Sequence, residues 1–345
     1  MMDNNKMWLP ALMVAVTLFS AYAQSSYMGS NQGYASDKFE GFEAFDKDTR
    51  LPQKEKSFWY SVSEETAAAQ LVYAAKKAAA GKSKSARKAY EALVRQWPTA
   101  PEAAHAQLAL AQLFEKMEKY GQAFDEYQYL LTYFAGHCPY NEVLDRQFRI
   151  ANLLLHGNKS MFGWALNGTD TIRERFEKIV LNAPRAAIAP EVMLIIGSIR
   201  VSAGEKQEAI AVYDGILNRF PGSPQSLSAA YLAAQCRYEL AVKHNYNEPR
   251  CREAIAFFKA IMARAPNHPQ KEQMTAWLNE LTNLQLDQNY QQALFYDTRQ
   301  RKPDAAKAAY RRFLTEFADS KYAPQVRARL VELEKGPVPV NTPAK

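Results

Sequence analysis

The sequence predicts an all-α chain of about five to six helical hairpins. Three observations carry this: a three-residue landmark that recurs six times, proline-bearing segments that follow it, and charges spread along the chain rather than massed. The landmark is a small or apolar residue, an aromatic ring four positions on, and Pro or Ala eight further. Its instances are Ala86, Tyr90, Pro98; Ala123, Tyr127, Ala135; Ile172, Phe176, Pro184; Ala209, Tyr213, Pro221; Ala254, Phe258, Pro266; and Ala306, Tyr310, Ala318. Successive starts lie 37, 49, 37, 45 and 52 residues apart, the spacing of a helix-hairpin repeat with insertions.

Each part of the landmark has a mechanical reason. Residues four apart share one face of a helix, so the small residue lets a partner helix approach while the ring fills the space beside it. Pro ends the helix because it has no N–H for the next backbone hydrogen bond. Segments such as Trp97-Pro98-Thr99-Ala100-Pro101 and Phe220-Pro221-Gly222-Ser223-Pro224 then turn the chain and place a second Pro in the first turn of the following helix, where no N–H is needed. Stacked hairpins require such core stripes, so the landmark residues are read as packing residues.

The flanks follow different rules. Lys6, the apolar run Met7 to Phe19 and the small-x-small site Ala21-Tyr22-Ala23 read as a cleavable export signal over residues 1–23. That run is shorter than the roughly 20 apolar residues a bilayer span needs. Residues 24–63 mix Ser, Gly, Asn, Asp and Lys with isolated aromatics and have no helical period, so they are read as a flexible linker whose aromatic end is a candidate to pack. Glu64 and Glu65 stand after Ser63 where carboxylates complement the start of a helix, and the array is expected over residues 64–335. Pro337, Pro339 and Pro343 exclude a helix from residues 336–345, a disordered tail.

Composition narrows the function. The 43 basic and 36 acidic residues are interspersed, and the clusters Lys76-Lys77, Lys82 to Lys88 and Arg299 to Lys302 lack the aromatic platforms of a nucleic-acid module, so no nucleic acid is expected as a partner. His105, His137, His156, His244 and His268 are scattered without metal-ligand spacing, and neither a Gly-rich phosphate loop nor a nucleophile elbow occurs. His137 and Cys138, adjacent in a turn, would need two further ligands to close a metal site. The reading is a protein that is not an enzyme, with no metal and no cofactor. Cys138, Cys236 and Cys251 are too few for a disulfide framework and are read as packing residues. Cys236 and Cys251 do lie on consecutive predicted helices, at a separation that sequence does not define.

Two hairpins carry nearly the whole signature of the tetratricopeptide family, which the chain resembles. In one, Leu110, Ala111, Phe114, Ala123, Tyr127 and Ala135 stand in register; in the other, Ile196, Gly197, Ala209, Tyr213 and Pro221 do so, with Arg200 in place of the first-helix aromatic. The signature Trp is missing from both. The stretch Trp277-Leu278-Asn279-Glu280-Leu281, Ala293-Leu294-Phe295-Tyr296, Ala305 to Leu314 and Phe317-Ala318-Asp319-Ser320-Lys321-Tyr322-Ala323-Pro324 is similar to the C-terminal repeats of BamD-like outer-membrane protein assembly factors. Tyr90 to Leu93, Pro98 to Pro101 and Phe124 to Phe134 resemble the early repeats of that family, and the likeness runs from about Ala67 to Leu333. Two departures stand out: the family's lipoprotein Cys is absent, so a lipid anchor is not expected, and the insertion His156 to Asp170 lies outside the repeat pattern.

The resemblance implies a right-handed superhelix whose concave face, lined by the first helix of each repeat, takes extended or helical peptides. The groove residues expected on the two best-matched hairpins are His105, Leu108, Gln112 and Glu115, and Glu191, Leu194, Ser198 and Val201. It further implies a periplasmic scaffold, peripheral to the outer membrane, with an outer-membrane insertase and unfolded outer-membrane proteins as protein partners. The alternative is a periplasmic repeat adaptor coordinating cell-wall synthesis with envelope constriction. A cell-wall hydrolase on a repeat scaffold is not expected, because no segment outside the array is long enough for a catalytic domain.

Overall fold

Helices form where the landmarks place them in the computed structural model, which describes residues 52–157, 166–242 and 248–335. Six hairpins follow one another: α1 (Ala67–Ala79) with α2 (Ser83–Gln96), α3 (Pro101–Lys116) with α4 (Tyr120–Tyr133), α5 (Tyr140–Gly157) with α6 (Leu166–Asn182), α7 (Ala189–Ser202) with α8 (Lys206–Arg219), α9 (Pro224–Val242) with α10 (Glu248–Arg264), and α11 (Lys271–Leu294) with α12 (Pro303–Glu316). A single helix, α13 (Ala323–Glu334), closes the array. No strand occurs among the described residues. Every helix packs on its chain neighbours, and first helices of adjacent hairpins touch at α1–α3, α7–α9 and α9–α11.

The six rings Tyr90, Tyr127, Phe176, Tyr213, Phe258 and Tyr310 all sit on second helices and are at most 4% exposed, as are the small or apolar residues four before them. The third landmark falls two residues beyond the last helical residue in all six cases, so it marks the turn between hairpins. Inside four hairpins the turn is made by one left-handed residue two positions before the second helix: Gly81 (φ 73°), Glu118 (φ 59°), Gly204 (φ 85°) and Arg301 (φ 50°). In each the N–H that follows bonds back to the first helix or its end, as Lys119 N to Phe114 O (3.0 Å) and Glu205 N to Arg200 O (2.9 Å) do.

Some expectations change. Glu64 and Glu65 do not open α1: Thr66 is its N-cap, with Oγ1 accepting from Ala69 N at 3.3 Å. Gln70 on α1 reaches back instead and takes the N–H groups of Ser63 (2.9 Å) and Glu64 (3.0 Å). Cys138, Cys236 and Cys251 are free. Burial pushes the Cys236 thiol up to about 12 and the Cys251 thiol up to about 11, and Cys251 Sγ donates to Leu281 O at 3.5 Å. Of the insertion, His156 and Gly157 end α5 and Leu166 to Asp170 open α6; residues 158–165 lie outside the described residues, as do the export signal, residues 24–51 and the tail.

The buried apolar residues form two clusters. The larger runs from Ala74 on α1 to Leu281 midway along α11; the second starts at Leu286 on the same helix and takes in Ala293, Ala306, Tyr310, Phe313 and Val326. The 24-residue α11 is therefore shared by both.

Candidate protein-binding surface

First helices carry one core face and one stripe that is neither core nor fully solvated. On α3, His105 is exposed while Leu108, Gln112 and Glu115 are half-buried; on α7, Glu191, Leu194, Ser198 and Val201 are all half-buried. Leu108, Leu194 and Val201 pack against the main core from outside it. Burial lifts the Glu191 carboxyl above its usual range. Ser198 is spent on its own helix, its Oγ donating to Ile195 O at 2.7 Å. The two stripes belong to hairpins two apart in chain order. Further along, Trp277 on α11 stacks between Tyr231 (5.5 Å) and Tyr238 (5.2 Å) of α9, and Tyr238 donates its hydroxyl to Glu280 at 2.7 Å. This half-buried aromatic stack escaped the sequence reading because the residues belong to different hairpins and share no register.

Polar locks join the hairpins, and Glu115 is part of one. Its Oε2 accepts from Tyr127 Oη (2.7 Å) on the same hairpin and from Arg146 (3.0 Å) on α5 of the next. Asp297, in the π-helical turn Phe295–Arg299 after α11, repeats the arrangement with Tyr310 (3.0 Å) and Arg329 of α13 (2.7 Å). The Arg329 guanidinium, aided by the Tyr310 hydroxyl, holds the Asp297 carboxyl below its usual range. Burial, reinforced by these carboxylates, raises the hydroxyls of both Tyr127 and Tyr310.

The missing signature Trp has a substitute. Gln70 and Gln107 occupy that position in the first two hairpins with no exposure, and their amides donate to second-helix carbonyls, Ala89 O at 3.1 Å and Glu126 O at 2.9 Å. Arg200, standing where the first-helix aromatic is expected, is 2% exposed and pairs with the fully buried Glu177 of α6 at 3.3 Å; Glu177 also pairs with Arg173 at 3.3 Å.

Residues 52–62 precede α1 without helical structure and lie against this surface at a different place. Lys54 enters the junction of α3 and α4: its Nζ donates to Gln107 Oε1 (3.1 Å), pairs with Glu126 and lies 4.7 Å from the centre of the Tyr129 ring, while its backbone N–H donates to Tyr129 Oη at 3.0 Å. Six residues on, Tyr60 takes the Arg95 guanidinium on its ring at 4.6 Å, and the same guanidinium donates to Glu55 O at 2.6 Å.

A stacked array of helical hairpins with a half-buried stripe on its first helices defines a protein-interaction scaffold. Residues 74–137 match the model of the tetratricopeptide repeat family, and residues 187–336 match that of a family described as outer membrane lipoprotein. The chain is thus a tetratricopeptide-type repeat protein, and the family likeness of its C-terminal part is to BamD-like proteins. Both families imply protein partners. No curated protein matches the chain. Solved structures similar to it include a thermophilic TPR protein of Thermus thermophilus (16% identity, 62% of this chain and 99% of that one, TM-score 0.29). Others are a tetratricopeptide repeat protein of Parabacteroides merdae (14%, 78% and 98%, 0.28) and PilF of Pseudomonas aeruginosa (12%, 76% and 97%, 0.30). Among the described residues no helix is long and apolar enough to cross a membrane.

Proposed function

We propose that the protein is a periplasmic scaffold, peripheral to the outer membrane, that binds protein partners during assembly of outer-membrane β-barrel proteins. The observation that carries this is the match of residues 187–336 to the outer membrane lipoprotein family, over the part of the array that holds the shared helix α11 and the second core. The export signal read over residues 1–23 supports the compartment. The first-helix stripes on α3 and α7 supply the docking face: the flanks of Leu108, Leu194 and Val201 offer apolar contact, and His105, Gln112 and Glu191 offer polar partners at the rim. Affinity purification of the tagged full-length chain from detergent-solubilised envelopes is expected to recover an outer-membrane insertase with periplasmic domains, and His105→Glu, at the exposed position of the α3 stripe, to reduce that recovery at unchanged thermal stability. Depletion should lower the amount of β-barrel proteins. An intact barrel-protein complement with a division defect would favour the cell-wall adaptor instead.

A further inference from the structure

The contact of residues 52–62 with the array has the features of an occupied recognition site. We infer that the junction of α2, α3 and α4 is a peptide-binding site, distinct from the first-helix stripe, that reads a lysine followed six residues later by an aromatic ring, and that residues 52–62 fill it in cis.

The lysine end is built. Gln107 is fully buried and its amide donates to Glu126 O (2.9 Å) and to the Glu126 carboxylate (2.6 Å), which fixes that carboxylate toward the incoming ammonium. Gln107 Oε1 is left to accept from Lys54 Nζ at 3.1 Å, and the 2%-exposed Tyr129 provides the ring wall. An ammonium here meets a carboxylate, a neutral acceptor and a π face, a set that favours a cation strongly over a neutral side chain. The aromatic end is Arg95, which stacks on Tyr60 and ties down the backbone at Glu55 O.

Between these two ends the segment is lightly held. A turn from Ser57 to Tyr60, closed by Tyr60 N to Ser57 O at 3.0 Å, lifts Phe58 and Trp59 away from the array at 91% and 79% exposed. A cavity of about 340 Å³ remains between the segment and Arg95 and Gln96. A segment fixed at two points and solvated between them opens at low cost, so it acts as an exchangeable occupant. The partner that fits is a non-helical segment of another protein with the same lysine-turn-aromatic order, competing against the high effective concentration of the tethered segment.

The test uses the full-length chain and a fluorescently labelled synthetic peptide of residues 52–62. Lys54→Glu/Tyr60→Ala frees the site in cis; fluorescence anisotropy is expected to show saturable peptide binding to this variant and at least roughly tenfold weaker binding to the wild-type chain. Adding Glu126→Gln to the freed chain is expected to weaken the peptide by about tenfold or more, and a peptide with Lys54→Glu to behave likewise. As a readout independent of the double variant, hydrogen exchange of Glu126→Gln alone should show the Lys54 amide, which bonds to Tyr129, losing protection while the helices keep theirs. Equal binding to wild-type and freed chains, indifference to Glu126→Gln, or unchanged protection of the Lys54 amide would each overturn the assignment.

Discussion

Hairpin two and hairpin four bear the same family signature and bury the same tyrosine, yet they hold it in opposite ways. In hairpin two the Tyr127 hydroxyl ends on Glu115, and Arg146 from the next hairpin completes the lock. In hairpin four Val201 stands where Glu115 does, and Leu232, as far after Tyr213 as Arg146 is after Tyr127, holds the place on α9 that Arg146 holds on α5; the Tyr213 hydroxyl is buried with no hydrogen-bond partner. Hairpin four relies on closeness instead. A Cβ on Gly197 would lie 2.3 Å from the Tyr213 ring, so the first helix approaches the ring as only glycine permits. Its other support is the buried Arg200–Glu177 pair to the preceding hairpin. One repeat unit is thus stabilised at its interfaces by a polar lock in one place and by steric fit plus a buried ion pair in another, which is how a quasi-one-dimensional array keeps its fold while individual repeats diverge.

The comparison can be broken most severely at Glu177. Glu177→Ala removes the acid that pairs with both Arg173 and Arg200, and urea unfolding should show a loss of about 3–5 kcal/mol, as for other broken buried ion pairs. Gly197→Ala forces the fully buried Tyr213 ring to move and should cost about 2–3 kcal/mol, whereas alanine in place of the exposed Gly222 should leave the melting temperature within about a degree. Glu115→Ala should cost about 2 kcal/mol because it orphans the Tyr127 hydroxyl, while the shape-preserving Tyr127→Phe should cost about 1 kcal/mol. Tyr213→Phe is expected to be neutral or slightly stabilising, since the hydroxyl it removes is already unpaired; a loss equal to that of Tyr127→Phe would erase the distinction between the two hairpins. Smallest of all, Glu118→Gly should gain about 0.5–1 kcal/mol by giving hairpin two the left-handed glycine that hairpin four has at Gly204.

The recurring lock of hairpin six adds a pH test. Asp297 has a carboxyl lowered in the folded protein, so its contribution is present above the ordinary carboxylate value and is lost as pH falls through the lowered one. Acid titration followed by tyrosine fluorescence should therefore show the wild-type chain losing more stability below about pH 4 than Asp297→Asn does.

Six phased rings were enough to read from sequence the helical hairpins, about five to six of them, and the turns between them, because a residue at helical spacing answers to the local period of its own helix and to a neighbour at nearly constant separation. The stripe residues His105 to Glu115 and Glu191 to Val201 were legible as one face of each first helix for the same reason, although the engagement of Glu115 with Tyr127 and Arg146 was not. What only the tertiary structure decided lies between hairpins or between an irregular segment and the array. The Trp277 stack, the Arg200–Glu177 pair and the docking of Lys54 at Glu126 all join residues at separations that insertions make variable. Such contacts depend on where the stacked helices come to rest, and no periodicity along the chain encodes that.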